Sequence, residues 1–136
     1  MVQVILGQWK EDDGSAAGCS NFGRYLDNPR YFATVTSSTR LLMRLAIPEE
    51  AGPFPSGRPA INVSLFSAGS TGRGREEATE WTPASTLAIA SSSKGVYLDS
   101  SGGSVTDAVE LAAGDYIAIV STYSPQAADY VLTVYS

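Results

Sequence analysis

The sequence predicts an all-β protein, about eight antiparallel strands packed as a two-sheet sandwich. Three observations carry that expectation. Apolar and polar residues alternate in several short runs, most clearly over 115–122 and 129–135, and a period of two is that of a half-buried strand. Gly, Pro and Ser clusters punctuate the runs about every 8–12 residues, the spacing of sandwich turns. No stretch supports a helix longer than about two turns.

In order, 2–6 is a short apolar strand ending at Gly7. Residues 8–28 are polar and Gly-rich and read as a loop holding the acidic triplet Glu11-Asp12-Asp13. Asn28-Pro29 fixes an extended entry into a strand over 31–36, since the residue before proline avoids the helical region. After the Ser37-Ser38 turn, 40–47 alternates cleanly. Leu41, Met43, Leu45 and Ile47 take one face, and Leu42, Arg44 and Ala46 the other. Residues 48–59 hold four prolines and two glycines and form a loop. Ile61, Val63 and Leu65 share one face of a strand over 60–66. Residues 68–83, rich in Gly, Arg and Glu, offer little to bury and are expected to be a mobile loop. Strands over 86–91 and 94–98 flank Ser91-Ser92-Ser93, and Gly102-Gly103 makes a turn. Residues 105–111 read as a strand, with a helix as the rival because Asp107-Ala108-Val109-Glu110 also suits one. The strand over 115–122 sets Tyr116, Ala118 and Val120 against Ile117, Ile119 and Ser121. The strand over 129–135 sets Tyr130, Leu132 and Val134 against Val131, Thr133 and Tyr135. Joined around Pro125, these last two predict an antiparallel hairpin.

Composition narrows the function. The 136 residues make one domain, 1–136, with no internal repeat. A hydrophobic content of 43% suits a packed core. The net charge of −5 argues against a nucleic-acid partner, which would require a basic face. No apolar run is long enough to span a bilayer as a helix, and no leader pattern opens the chain, so no secretory signal is expected. Cys19 stands alone, so no internal disulfide forms, which fits a reducing, cytoplasmic setting. Cys19 is expected to be a small buried hydrophobe. The chain has no histidine. No Ser-His-Asp triad or Cys-His pair can be built, and no zinc site of the usual ligands. The expectation is a chain with no catalytic residues that is not an enzyme. Asn62-Val63-Ser64 matches a glycosylation acceptor but lies in an alternating strand, so the match is read as accidental.

Candidate binding residues are few. Glu11, Asp12 and Asp13 are the metal candidates, but calcium takes six to eight oxygens converging from several loops. Three adjacent carboxylates predict a site of about millimolar affinity at best, and no other cofactor is expected. Arg73, Arg75, Trp81 and Phe54 lie on loops and are the candidates for contact with a partner. Two close arginines on an acidic domain contribute about 1 kcal/mol each at an anionic surface, so membrane binding by the isolated domain is not expected.

Two segments carry a resemblance. Gly7-Gln8-Trp9, Ala16-Ala17-Gly18-Cys19-Ser20-Asn21 and Asn28-Pro29-Arg30-Tyr31 open the chain; Leu111, Gly114, Tyr116, Ser121, Thr122, Tyr123, Pro125 and Val134-Tyr135-Ser136 close it. In order and spacing they resemble the third domain of calpains, a C2-like β-sandwich. Ala17, Arg30 and Val120 depart from that family's pattern, so the chain looks like a divergent calpain-like cysteine protease's third domain. The resemblance implies a non-catalytic regulatory module. It would dock on the protease domain of its parent chain or recruit another protein, and modulate a calcium or lipid response. In calpains the nucleophilic cysteine lies in a different domain, so Cys19 is not read as one. Leu-x-x-Gly-x-Tyr followed by Tyr-x-Leu-x-Val also resembles the C-terminal accessory domain of secreted bacterial peptidases, which is the alternative reading.

Overall fold

Two strands buried on both faces organise the molecule. In the computed structural model, which describes residues 2–48, 50, 54, 57–67, 90–91, 97–98, 104–105 and 109–136, they run Ile61–Ser67 and Gly114–Thr122. Every residue of 61–66 and 116–122 is buried. A strand buried on both faces belongs in the middle of a covered sheet, and both lie there.

The described residues form ten strand segments, all paired antiparallel. In chain order they are β1 (Val2–Trp9), β2 (Arg30–Val35), β3 (Thr39–Ala46), β4 (Ile61–Ser67), β5 (Ala90–Ser91), β6 (Tyr97–Leu98), β7 (Ser104–Val105), β8 (Val109–Leu111), β9 (Gly114–Thr122) and β10 (Ala128–Tyr135). The first sheet has the order β1-β10-β3-β7-β6, with β8 also on β3; the second has the order β2-β9-β4-β5. Two short 3-10 segments, Ser20–Phe22 and Tyr25–Asp27, are among the helical turns of the described residues. No helix there is long and apolar enough to cross a membrane. The chain is an all-β sandwich.

Between the sheets lies one apolar cluster. It takes Leu41, Met43, Leu45, Tyr130 and Leu132 from the first sheet, and Val63, Leu65, Tyr116, Ala118 and Val120 from the second. The alternation read in β3 is the alternation seen, with Leu41, Met43 and Leu45 buried. Val134 packs half-buried against the same cluster.

Several expectations require correction. The closing strands are not a hairpin, since β9 pairs with β2 and β4 in one sheet while β10 pairs with β1 and β3 in the other. Alternation states which face a strand buries, not which neighbour it pairs with. The turn around Pro125 therefore crosses between layers. β1 does not stop at Gly7 but runs to Trp9. Gly7 lies opposite Tyr130, and a Cβ there would stand 2.8 Å from Tyr130 Cε1 and nearer still to Cζ and Oη. Glycine is present to admit an aromatic ring, not to turn the chain.

The polar stretch 8–28 is also more than a loop. Its Tyr25 and Leu26 cover the outer face of the second sheet, packing with Phe66, Ile117 and Ile119 in a second buried cluster, and half-buried Phe32 lies against it. Tyr25 meets Phe66 edge-on, centroids 6.5 Å apart. Burying each such side chain contributes roughly 1.5–3 kcal/mol. Of the strand over 86–91 only Ala90–Ser91 is described, of 94–98 only Tyr97–Leu98, and of 105–111 the pieces Ser104–Val105 and Val109–Leu111. The loop over 68–83 lies outside the described residues.

Candidate functional site

The opening and closing segments meet at one end of the sandwich. Trp9, 1% exposed, donates its indole N–H across the layers to the Val120 carbonyl at 3.1 Å. Its ring lies 4.6 Å from that of Tyr130. The Tyr130 hydroxyl in the first sheet and the Tyr31 hydroxyl in the second form a short hydrogen bond. Asn28, 2% exposed, accepts from the Ala17 N–H at 3.3 Å and donates to the Gly18 and Tyr25 carbonyls at 2.8 and 2.9 Å. The Cys19 N–H donates to the Tyr123 carbonyl at 3.1 Å, and the Val120 N–H to the Pro29 carbonyl at 3.2 Å. Gly18 holds a positive φ of 76°, with Pro125 so near that a Cβ would stand 2.8 Å from its Cδ. Tyr116 caps its own approach to the strand, donating to the Ala112 carbonyl at 2.7 Å.

This end borders three clefts. One of about 840 Å³ has Leu6, Lys10, Asp13, Glu50, Asp129 and Tyr130 in its wall. A second of about 690 Å³ shares Gln8, Lys10 and Asp129 and adds Glu11, Asp12 and Phe54. The third, about 490 Å³, is lined by Asp13, Asp27, Asn28, Arg30 and Phe32. Gln8 donates to Asp129 Oδ1 at 2.7 Å on the wall shared by the first two.

Three titratable groups at or near this end are shifted by their surroundings. Hydrogen bonds from the Ser15 hydroxyl and N–H hold the Asp13 carboxyl below its ordinary value. Burial, aided by the Tyr31 hydroxyl, pushes the Tyr130 phenol far up. Burial pushes Tyr25 up to about 12, against a smaller opposing hydrogen bond with Ser64. Both phenols therefore stay neutral at physiological pH. The first cleft carries Asp13, Glu50 and Asp129 against the single cation Lys10.

The sequence candidates distribute unevenly. Glu11, Asp12 and Phe54 come together in the second cleft, whereas Asp13 turns to the other two. Asp13 accepts the Ser15 N–H at 2.8 Å, a local turn bond. No three carboxylates, cysteines or histidines among the described residues converge as a metal site. Phe54 is half-buried against the core, with the Arg58 guanidinium 5.7 Å above its ring. Arg73, Arg75 and Trp81 lie outside the described residues. Cys19 is free and half-buried, not buried as expected, because it sits where the 8–28 segment joins the closing turn. Asn62 is buried and donates to Ser64 Oγ at 2.9 Å.

Two features escaped the sequence. The Tyr31–Tyr130 bridge could not be foreseen, because it joins strands from different sheets. The outer row of β1 could have been. Val2, Val4 and Leu6 are 60%, 59% and 77% exposed, and no charge occurs from Val2 through Trp9.

No family model matches the sequence, and no curated protein matches it. Among solved structures, the chain is similar to the pre-peptidase C-terminal domain of collagenase from Bacillus anthracis. Identity is 12% over 98% of this chain and 88% of that one, at a TM-score of 0.49.

Proposed function

We propose that this chain is a non-catalytic β-sandwich module that accompanies a peptidase and serves it by binding. One observation carries the reading. The opening and closing segments, 80 residues apart in sequence at their nearest, are knitted together by Trp9–Val120, Cys19–Tyr123, Pro29–Val120 and Tyr31–Tyr130. These are the segments that resemble peptidase accessory domains. Their side chains are spent on packing and hydrogen bonds, so they act as frame, and the clefts and strand edges around them are left for contact.

The parent is either a divergent calpain-like cysteine protease or a secreted bacterial peptidase. Gly7-x-Trp9 and Asn28-Pro29-x-Tyr31 support the first, which would keep the module in the cytoplasm, docked on its protease domain. Leu111-x-x-Gly114-x-Tyr116 with Tyr130-x-Leu132-x-Val134 supports the second, in which the module would aid secretion or substrate binding outside the cell. Sequencing the complete reading frame tests both. A papain-like Cys/His/Asn domain in the same frame is the calpain-like outcome. A leader followed by another peptidase domain is the secreted outcome. A frame encoding no peptidase domain overturns the proposal.

A further inference from the structure

The two larger clefts adjoin where β1 ends. They share Gln8, Lys10 and Asp129 in one wall and measure about 840 and 690 Å³, within the roughly 300–1,000 Å³ of ligand-binding clefts. Their floor is largely apolar and buried or half-buried, with Pro29, Tyr31, Pro48 and Tyr130 in the first and Trp9 and Phe54 in the second. The Tyr31 and Tyr130 hydroxyls are spent on each other and the Trp9 N–H on Val120. The rim is different. Asp13 and Glu50 stand on the first cleft, Glu11 and Asp12 on the second, and Asp129 on both, all of them exposed. Asp13 and Asp129 accept only the neutral donors of Ser15 and Gln8, and among the described residues no ion pair joins any of the five. Among the described residues lining the two clefts, Lys10 is the one cation. Arg58 lies 5.7 Å from the Phe54 ring, but its guanidinium is spent on the Ile47 and Pro48 carbonyls.

Charge decides between occupants. A second copy, with the same net charge of −5, is repelled from this rim. A nucleic-acid backbone or an anionic lipid surface is repelled for the same reason. Calcium takes six to eight converging oxygens, and no three carboxylates converge among the described residues. A wholly apolar partner suits the floor but strips water from the carboxylates and gives nothing back. We propose that the joined clefts bind an extended basic segment of a partner protein, one that sets arginine or lysine beside apolar side chains. The apolar side chains and the aliphatic stems of the cations lie on the floor, and the charged heads reach the carboxylates of the rim. This gives the binding module a ligand chemistry. It stands on the clefts themselves, so it holds whatever the parent chain is, and the complete reading frame bears on the peptidase reading alone.

Fluorescence anisotropy of a labelled short peptide of alternating arginine and leucine, titrated with the 136-residue chain, tests this. The peptide binds, and its affinity falls at least about tenfold between about 50 and about 500 mM salt, as screening requires. Glu50→Gln combined with Asp129→Asn weakens binding at least about tenfold, or about 1.4 kcal/mol. Both positions are exposed, so the double variant keeps the wild-type urea midpoint. Glu110→Gln combined with Asp115→Asn removes the same charge from exposed positions that line neither cleft, and leaves the affinity within about twofold. A peptide of alternating arginine and glycine binds at least about tenfold more weakly, because it has nothing to lay on the floor. An arginine–leucine peptide that does not bind overturns the proposal. So does an equal loss in the two double variants, which would mean attraction to net charge alone. Equal binding of the arginine–glycine peptide, or of one alternating glutamate and leucine, overturns it as well.

Discussion

Gly7→Ala adds one methyl group, and the structure says where it goes. The new Cβ meets the Tyr130 ring, 2.8 Å from Cε1 and closer to Cζ and Oη. That ring cannot withdraw freely, because Trp9 packs tilted against it at 4.6 Å and Tyr31 holds its hydroxyl. Overpacking of this kind costs about 1–3 kcal/mol. Displacing the ring also breaks the Tyr31–Tyr130 bond, worth about 1 kcal/mol. Alanine favours a strand interior over glycine by about 0.5–1 kcal/mol, which offsets part of the loss. The net expectation is a loss of about 1–3.5 kcal/mol, read as a lower urea midpoint at unchanged m-value. A double-mutant cycle isolates the cause. In a Tyr130→Leu background, which lacks the Cε1, Cζ and Oη atoms, Gly7→Ala is expected to be neutral or to stabilise by about 0.5–1 kcal/mol. Equal loss in both backgrounds, or a stable Gly7→Ala single variant, would refute the reasoning.

Other outcomes follow from the same frame. Asn28→Ala leaves the Ala17 N–H and the Gly18 carbonyl without their partner, and each buried orphan costs about 1–3 kcal/mol. A loss of about 3 kcal/mol by urea titration is expected, and a loss below about 0.5 kcal/mol would contradict the assigned bonds. Tyr25 is neutral in the fold and raised from 10.0 to about 12, so its contribution is complete below about pH 10 and is lost as pH climbs toward 12. The decline should approach 3 kcal/mol at about 1.4 kcal/mol per unit, and Tyr25→Phe should flatten it. Tyr130, raised by burial, acts in the same direction. The purified chain should cleave neither casein nor gelatin, because it has no histidine to activate Cys19; cleavage abolished by Cys19→Ala would overturn that.

The sequence disclosed the class of the fold and most strand positions, because a period of two is local information. Leu41, Met43 and Leu45 were assigned to the core from spacing alone. Pairing was not legible. The 115–122 and 129–135 runs look like a hairpin from their proximity and alternation, and only three-dimensional packing assigns them to different sheets. The cover of the second sheet left a trace. Ile117 and Ile119 are apolar opposite Tyr116, Ala118 and Val120, so both faces of that strand had to be buried, and Tyr25 and Leu26 were apolar residues in a polar stretch. Gly7 misled because glycine in a strand signals a turn as readily as a close approach. At the candidate site, Phe54 is legible in the sequence as a loop aromatic but not its packing against the core, because that contact joins segments far apart in sequence.

The claim on which the rest depends is that the closing strands lie in opposite layers, tied by the opening segment. Backbone interproton contacts in the solution NMR spectrum test it directly. The account expects β9 contacts between Val120 and Val63 and between Ala118 and Tyr31. It also expects β10 contacts between Leu132 and both Ile5 and Leu45, with the Trp9 indole proton near Val120. A continuous ladder of contacts between 115–122 and 129–135 would restore the hairpin and contradict the account.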